Sequence, residues 1–238
     1  MITFIRKKLR YIYNRIVNIF HSEEDISDAK DKWNRLAKED ASYYIFTDKE
    51  ISSSKHLFRG AGLRDVDTYF AQDTFIKEYL SKKKEIHAVE IGCGIGRLSE
   101  HVAPYVQSLI GTDISEEMIA QARKRLYAIQ NIRFESTDGL HIPVSDDSID
   151  IVFSFIVFQH MSSVAVVKNN IEEIARILCK GGIAKIQLRG VIVSKQRWYY
   201  GPAFTVSDVK RLISSTPLSL IHTENEGQKY FWVWLKRV

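Results

Sequence analysis

Residues 86–97 read I-H-A-V-E-I-G-C-G-I-G-R, and no other stretch limits the fold as much. A short apolar run ends at an acid, Glu90. Three glycines then follow at alternate positions, Gly92, Gly94 and Gly96. An apolar run that stops at such a cluster is a buried strand turning sharply into a helix. Glycine accepts the positive φ such a turn needs and lets a ligand come close to the backbone. The dinucleotide fingerprint G-x-G-x-x-G requires glycine at position 97, where this chain has Arg97, and that argues against a nicotinamide-binding domain. The plainer alternative is a tight strand–helix turn that binds nothing.

Strands and helices alternate beyond this point. Residues 108–112 form the second predicted strand, and Asp113 stands at its carboxyl end, where open parallel sheets bind their ligands. An acid there can accept hydrogen bonds from both hydroxyls of a ribose. Ser115, followed by Glu116 and Glu117, is the better helix cap, which leaves Asp113 for a ligand. Residues 132–135, 149–153 and 183–188 are the third, fourth and fifth predicted strands. A helix over 163–179 precedes the fifth, and Gly181-Gly182 stops it. A further helix from Thr205 or Ser207 to about Ser214 leads to two strands, 218–223 and 230–236, joined by a turn.

Upstream, the spacing predicts a helix over 65–82 with Asp65 as its N-cap, and a shorter one over 31–40. Residues 21–30 read as a linker, and 41–62 as helices and loops without a clean period, lying over the ligand end of the sheet. Residues 1–20 carry Ile2, Ile5, Leu9, Ile12, Ile16 and Ile19 at steps of three and four, an apolar stripe on a helix. The same twenty residues hold Arg6, Lys7, Lys8, Arg10 and Arg15 and no acid, so they account for the whole net charge of +5. A basic amphipathic helix can lie on an anionic membrane surface; the competing reading is a helix docked on its own domain or on a second subunit. With its excess charge confined there, the rest of the chain lacks the basic balance of a nucleic-acid binder. The two cysteines, Cys93 and Cys179, have no metal-ligand spacing, so no metal site is expected. They fit a reducing compartment, the cytoplasm, with a peripheral place at the membrane surface if the first helix binds it. No apolar run is long enough to span a bilayer.

Several stretches together resemble the class I S-adenosylmethionine (SAM) dependent methyltransferase family. They are V-E-I-G-C-G-I-G-R at 89–97, G-T-D-I-S-E-E-M at 111–118, T-D-G-L-H-I-P-V-S-D-D-S-I-D at 137–150, I-V-F-S-F-I-V-F-Q-H-M at 151–161 and R-I-L-C-K-G-G at 176–182. They follow the family's order and spacing across residues 65–238, with Lys180 where the family often has proline. The resemblance implies an α/β fold, a Rossmann-like sheet of seven strands with the last antiparallel, helices on both faces and an N-terminal helical extension. It divides the chain into a basic helix (1–20), a helical and loop lid over the active site (21–64) and the SAM-binding domain (65–238). It implies SAM as cofactor and S-adenosylhomocysteine as product. Glu90, Gly92, Cys93 and Gly94 would hold the methionine end. Asp113 would take the ribose, Ile114 and Met118 the adenine face, Asp138 and Gly139 the adenine edge, and Phe155 the methyl-donor end. His160 is the histidine placed to serve as a general base, against a purely structural role. Arg197, Trp198 and Tyr199, in the loop after the fifth strand, are the candidates for acceptor contact.

The acceptor expected on this reading is a small molecule or a lipid- or glycan-linked group. An RNA or protein methyltransferase is the alternative, lowered for amino-directed nucleic-acid enzymes because Ser154-Phe155-Ile156-Val157 lacks an Asn/Asp-Pro-Pro-Tyr type motif. A SAM-binding regulatory protein without turnover comes last. The acceptor, the atom methylated and the oligomeric state are not encoded in any motif.

Overall fold

The computed structural model describes residues 26–191 and 201–238. Seven strands, β1 (His87–Ile91), β2 (Ser108–Asp113), β3 (Ile132–Ser136), β4 (Ile149–Ser154), β5 (Leu178–Leu188), β6 (Leu218–Glu224) and β7 (Phe231–Arg237), form one sheet in the order β3-β2-β1-β4-β5-β7-β6. The first five run parallel, and β7 lies antiparallel between β5 and β6. The chain builds outward from β1 to β3, then returns to the other side of β1 as β4. The strand order therefore reverses between β1 and β4, and a crevice opens at their carboxyl ends.

Alternate residues of a strand face opposite sides of a sheet, and the central strands are apolar on both. Val89, Val152, Ala184, Ile186, Val233 and Leu235 pack against helices α7 (Val164–Ile177) and α8 (Val206–Ile213). Ala88, Ile151, Phe153, Ile183, Trp232 and Trp234 pack on the other face against Val66, Phe70 and Ile76. The caps are local: Ser115 Oγ accepts from Met118 N at the start of α6 (Glu116–Arg125), Ser163 Oγ from Val166 N ahead of α7, and Thr205 with Asp208 forms a reciprocal capping box on α8.

Three local expectations are corrected. Residues 26–30 are not linker, because α1 spans Ile26–Ile45, with a break in helical geometry at Asp40. The helices expected within 41–62 are the short α2 (Lys49–Ser53) and α3 (Lys55–Val66), which is capped by Ser54 and carries Phe58 to Gly62 in its middle. Asp65 is not an N-cap: it sits in the last turn of α3, and the chain continues through a π-helical turn (Asp67–Ala71) before Asp73 caps α4 (Thr74–Lys82). Gly181-Gly182 does not mark the helix end. Leu178, fully buried, already takes extended backbone and pairs with Ile149, while the next pairing is Ile151 with Ile183. The glycines absorb the extra residues of this irregularity, Gly181 at φ +82.

The first strand passes through the glycine loop into a short helix, α5 (Ser99–Val102). Residues 1–25 and 192–200 lie outside the described residues, so the stripe of 1–20 and the candidates Arg197, Trp198 and Tyr199 have no structural account here.

Candidate functional site

A cleft opens over the carboxyl ends of β1, β2 and β4, with α1 across it. The glycine loop forms its floor. Gly92 and Gly94 adopt φ +72 and +54, where side chains are strained. Space demands glycine as well: a Cβ on Gly92 would lie 2.2 Å from a Val157 methyl, and one on Gly94 would lie 2.7 Å from Ile45 Cδ1. Glycine is therefore what lets the post-β4 turn and the roof helix close on this loop.

Two acids reach the cleft. Glu90, near the end of β1, is 3 % exposed, and Ser99 Oγ donates to its Oε2 at 2.5 Å. Burial pushes its carboxyl up to about 7, against the opposing pull of Ser99 and of the Arg97 charge. Asp113, at the end of β2, accepts Gly94 N–H on Oδ2 and Ser115 N–H on Oδ1, each at 2.9 Å. Burial raises its pKa while these main-chain donors lower it. Asp113 thereby ties the glycine loop to the start of α6, and its remaining lone pairs are what a ligand would meet. Ser115 does cap α6, and its hydroxyl also donates to Asn34 Oδ1 on α1 at 2.8 Å.

Cys93, Ile114, Met118, Gly139, Phe155 and His160 also line this cleft. Asp138 does not. Its Oδ1 is used up locally, accepting Leu140 N–H and His141 N–H at 2.8 and 2.7 Å, and the residue is exposed. Thr137 and Gly139 face the cleft on either side of it. Phe155 stacks on Trp232, ring centroids 5.2 Å apart, and packs against Tyr69 of the π-helical turn. The next residue, Ile156, holds φ +60, rare for a β-branched side chain, with its N–H on Gln187 Oε1. His160 ends a short 3-10 turn (Phe158–His160), with Gln159 Nε2 3.1 Å from its Nε2 and Trp33 of α1 edge-on at 5.7 Å.

The roof supplies lining residues that no motif flags: Trp33, Tyr44 and Ile45, with Ile26 and Ala29 at the start of α1. The roof is bolted down by polar contacts to α6. Asn34 Oδ1 accepts both Ser115 Oγ–H and Glu117 N–H, Gln121 Nε2 donates to Ala37 O, and Lys30 pairs with Glu116. Their partners lie more than eighty residues apart in sequence, so spacing could not reveal them. Arg97 is the other omission. The sequence reading used it only to exclude a fingerprint, yet it also lines the cleft.

Residues 89–186 match the family model described as "Methyltransferase domain". An uncharacterized methyltransferase, YcgJ of Bacillus subtilis (strain 168), is 31 % identical over 102 residues, which cover 42 % of this chain and 39 % of that protein. The methyltransferase GfsG of Streptomyces halstedii is 29 % identical over 111 residues, covering 44 % of this chain and 39 % of it. Magnesium protoporphyrin IX methyltransferase of Synechocystis PCC 6803, crystallised with bound S-adenosylhomocysteine, superposes with a TM-score of 0.66 at 17 % identity, over 90 % of this chain and all of that one.

Residues 89–186 thus match a methyltransferase domain, and the chain is similar to class I SAM-dependent methyltransferases. The matched part spans about two fifths of the length of these curated relatives. The family's methyl donor is SAM, and the chemistry of this cleft fits it. A cationic amino acid end needs an acid such as Glu90, a ribose needs an acceptor such as Asp113 at the end of β2, and a purine needs apolar faces such as Ile114 and Met118.

Proposed function

We propose that the protein is a SAM-dependent methyltransferase whose acceptor is a small molecule or a lipid- or glycan-linked group. The observation that carries this reading is the roofed cleft. Glu90, the glycine loop, Asp113 and Phe155 converge below α1, and Trp33 and Tyr44 face them from above. The covering helix favours a compact acceptor over a folded macromolecule, whose surface would need an open groove.

The sulfonium of SAM brings an already activated methyl group, so the chain's own task is to position and to exclude water. Glu90 and the Gly92–Gly94 amides would hold the methionine end, Asp113 the ribose, and Ile114 and Met118 the adenine. Gly139 would sit at the adenine edge. Asp138 would act through the turn it closes. Phe155, fixed by Trp232 and Tyr69, would wall the donor end. His160 stands across the cleft under Trp33, where it could take a proton from an acceptor hydroxyl or amine.

Residues 192–200 include Arg197, Trp198 and Tyr199, which we assign to acceptor contact. Supporting this, Gly201, the residue that follows them, donates to Gln159 O at 2.7 Å, beside the His160 turn that lines the cleft. Peripheral membrane contact through residues 1–20 is part of the same proposal, since it would present a lipid-linked acceptor.

Labelled SAM offered with lipid, glycan, small-molecule, RNA and protein fractions tests the reading. Label in one of the first three is expected. Transfer to RNA or protein alone overturns the acceptor class. Saturable S-adenosylhomocysteine binding with no transfer to any fraction would favour the non-catalytic alternative. Alanine at Arg197, Trp198 and Tyr199 should lower turnover and leave S-adenosylhomocysteine affinity within about twofold, as expected for groups outside the cofactor subsite.

A further inference from the structure

Gln187, near the end of β5, is fully buried, and the main chain fixes which way its amide faces. Its Oε1 accepts the Ile156 N–H at 3.0 Å. Its Nε2 faces two carbonyls, Leu188 O and, at 3.4 Å, Lys229 O, which only an N–H can serve. The same Nε2 lies 3.4 Å from the side chain of Gln159, so the Gln159 atom it meets must be the acceptor, Oε1. Gln159 is 2 % exposed, and its Nε2 is then the donor that stands 3.1 Å from His160 Nε2. A ring nitrogen facing an N–H must carry a lone pair. Neutral His160 therefore holds its proton on Nδ1.

This line of amides runs from the buried end of β5 to the cleft, and its first member also holds the turn after β4. Ile156 keeps a φ of +60 that a β-branched side chain resists, and such geometry persists only where the surroundings over-determine it. Gln187 Oε1 supplies the hydrogen bond that fixes it. Phe155 and Val157, on either side of Ile156, line the cleft, and Val157 packs against Gly92. We propose that Gln187 and Gln159 are positioning residues of the transfer site. Gln187 sets the turn that carries Phe155 and Val157, and through Gln159 it locks His160 in the Nδ1–H tautomer. A proton arriving at Nε2 would meet the Gln159 N–H, so His160 can take one there only as that contact parts. Both glutamines act through residues that line the cleft. The tautomer stands on geometry alone, and its consequence for transfer rests on the methyltransferase reading above.

Histidine labelled with nitrogen-15 in the full chain tests it. Long-range proton–nitrogen spectra at about pH 8, where imidazoles are neutral, read the tautomer without any methyl transfer. His160 is assigned by the signal that His160→Gln removes. The native protein should show His160 protonated on Nδ1, the reverse of the form that free histidine prefers. In Gln159→Met the donor is gone and the population should move to Nε2–H. Turnover of labelled SAM should then fall roughly tenfold or more, as for a misplaced group, with S-adenosylhomocysteine affinity within about twofold. Gln187→Met should also weaken that affinity roughly tenfold, as the competent turn becomes a minor form. Adding Ile156→Gly, which accepts the positive φ unaided, should restore the affinity but not the tautomer. If Gln187→Met does not fold, recovery of folding in the double variant is the same result. Native His160 protonated on Nε2, or a tautomer that Gln159→Met leaves unchanged, overturns the relay. A moved tautomer with unchanged turnover overturns its part in transfer. Unchanged affinity in Gln187→Met, or a loss of affinity or folding that glycine does not restore, overturns the role in the turn. If the tautomers move as expected and the native protein labels no fraction, the methyltransferase reading fails and the relay stands.

Discussion

If Glu90 holds the ammonium of the cofactor, stability and function oppose each other at this single residue. Its carboxyl titrates near 7 in the folded protein and near 4.5 when free of burial. The folded state therefore holds a proton that the unfolded state has released between those values. The neutral form costs nothing below pH 4.5, stability is lost as pH rises through 7, and the penalty levels off above it at about 3 kcal/mol. Glu90→Gln should thus match the native protein in denaturant melts near pH 4.5 and exceed it by up to about 3 kcal/mol at pH 8. Cofactor binding should move the other way. A cationic ammonium selects the carboxylate, so native affinity for S-adenosylhomocysteine should fall as pH drops below 7, with proton release on binding. The glutamine variant should bind more weakly and lose that pH dependence. A native affinity flat from pH 5.5 to 8 would remove Glu90 from the ligand. Asp113→Ala carries a second penalty. Besides any ribose contact it leaves Gly94 N–H and Ser115 N–H without their acceptor. Calorimetry should show a loss on the order of 1.5–3 kcal/mol, accompanied by a lower melting temperature. Most of these groups could be located from sequence because the glycine cluster and the strand ends fix them. Asp138 could not, since whether an acid faces a ligand or closes its own turn depends on two local N–H groups that spacing does not encode.

Elements with a clean period and a cap were legible: β1 to β4, β6 and β7, α6, α7 and α8 lie within a few residues of expectation. Those that failed share a cause. Residues 55–82 contain three separate helical pieces, and Val66, Phe70 and Ile76 from all three pack into one apolar cluster with Ala88 of β1 and Trp232 and Trp234 of β7. Gly62, a poor helix former, stands inside α3 because the helix presses against the Arg97 main chain there. Tertiary contact overrode propensity there. The roof shows the same in reverse, for α1 is polar along much of its length and is seated by hydrogen bonds to α6. Asn34 bears most of that seat, accepting from Ser115 and Glu117. Asn34→Ala should destabilise the protein by about 1–3 kcal/mol, because both donors lose their partner in a half-buried site. If α1 also closes the cleft, the variant should show faster S-adenosylhomocysteine dissociation in stopped-flow measurements. A stability loss with unchanged dissociation would make α1 a structural brace alone.

For the whole molecule, charge is the property that the fold does not explain. All of the net +5 is matched by five basic residues within 1–20, beside a stripe of six aliphatic side chains. Among the described residues no helix is long and apolar enough to cross a membrane. If residues 1–20 lie on an anionic surface, each basic side chain contributes about 1 kcal/mol, and salt screens that contribution over about 8–10 Å. The apolar stripe adds buried area, which salt leaves nearly untouched. Binding to vesicles containing phosphatidylserine should therefore be strong at low salt, drop by an order of magnitude or more near 0.5 M and be absent with neutral vesicles. It should vanish when residues 1–20 are deleted. The sheet, both of its packed faces and the cleft belong to residues beyond 25, so the truncated protein should melt cooperatively and still bind S-adenosylhomocysteine. A docked helix or a dimer element gives the opposite pattern. The deletion would then lower the melting temperature or change the sedimentation coefficient, with vesicles having no effect on either form. Co-sedimentation and analytical ultracentrifugation of the two chains separate these outcomes, and the membrane result would favour a lipid-linked acceptor because the cleft would then be held at the bilayer surface.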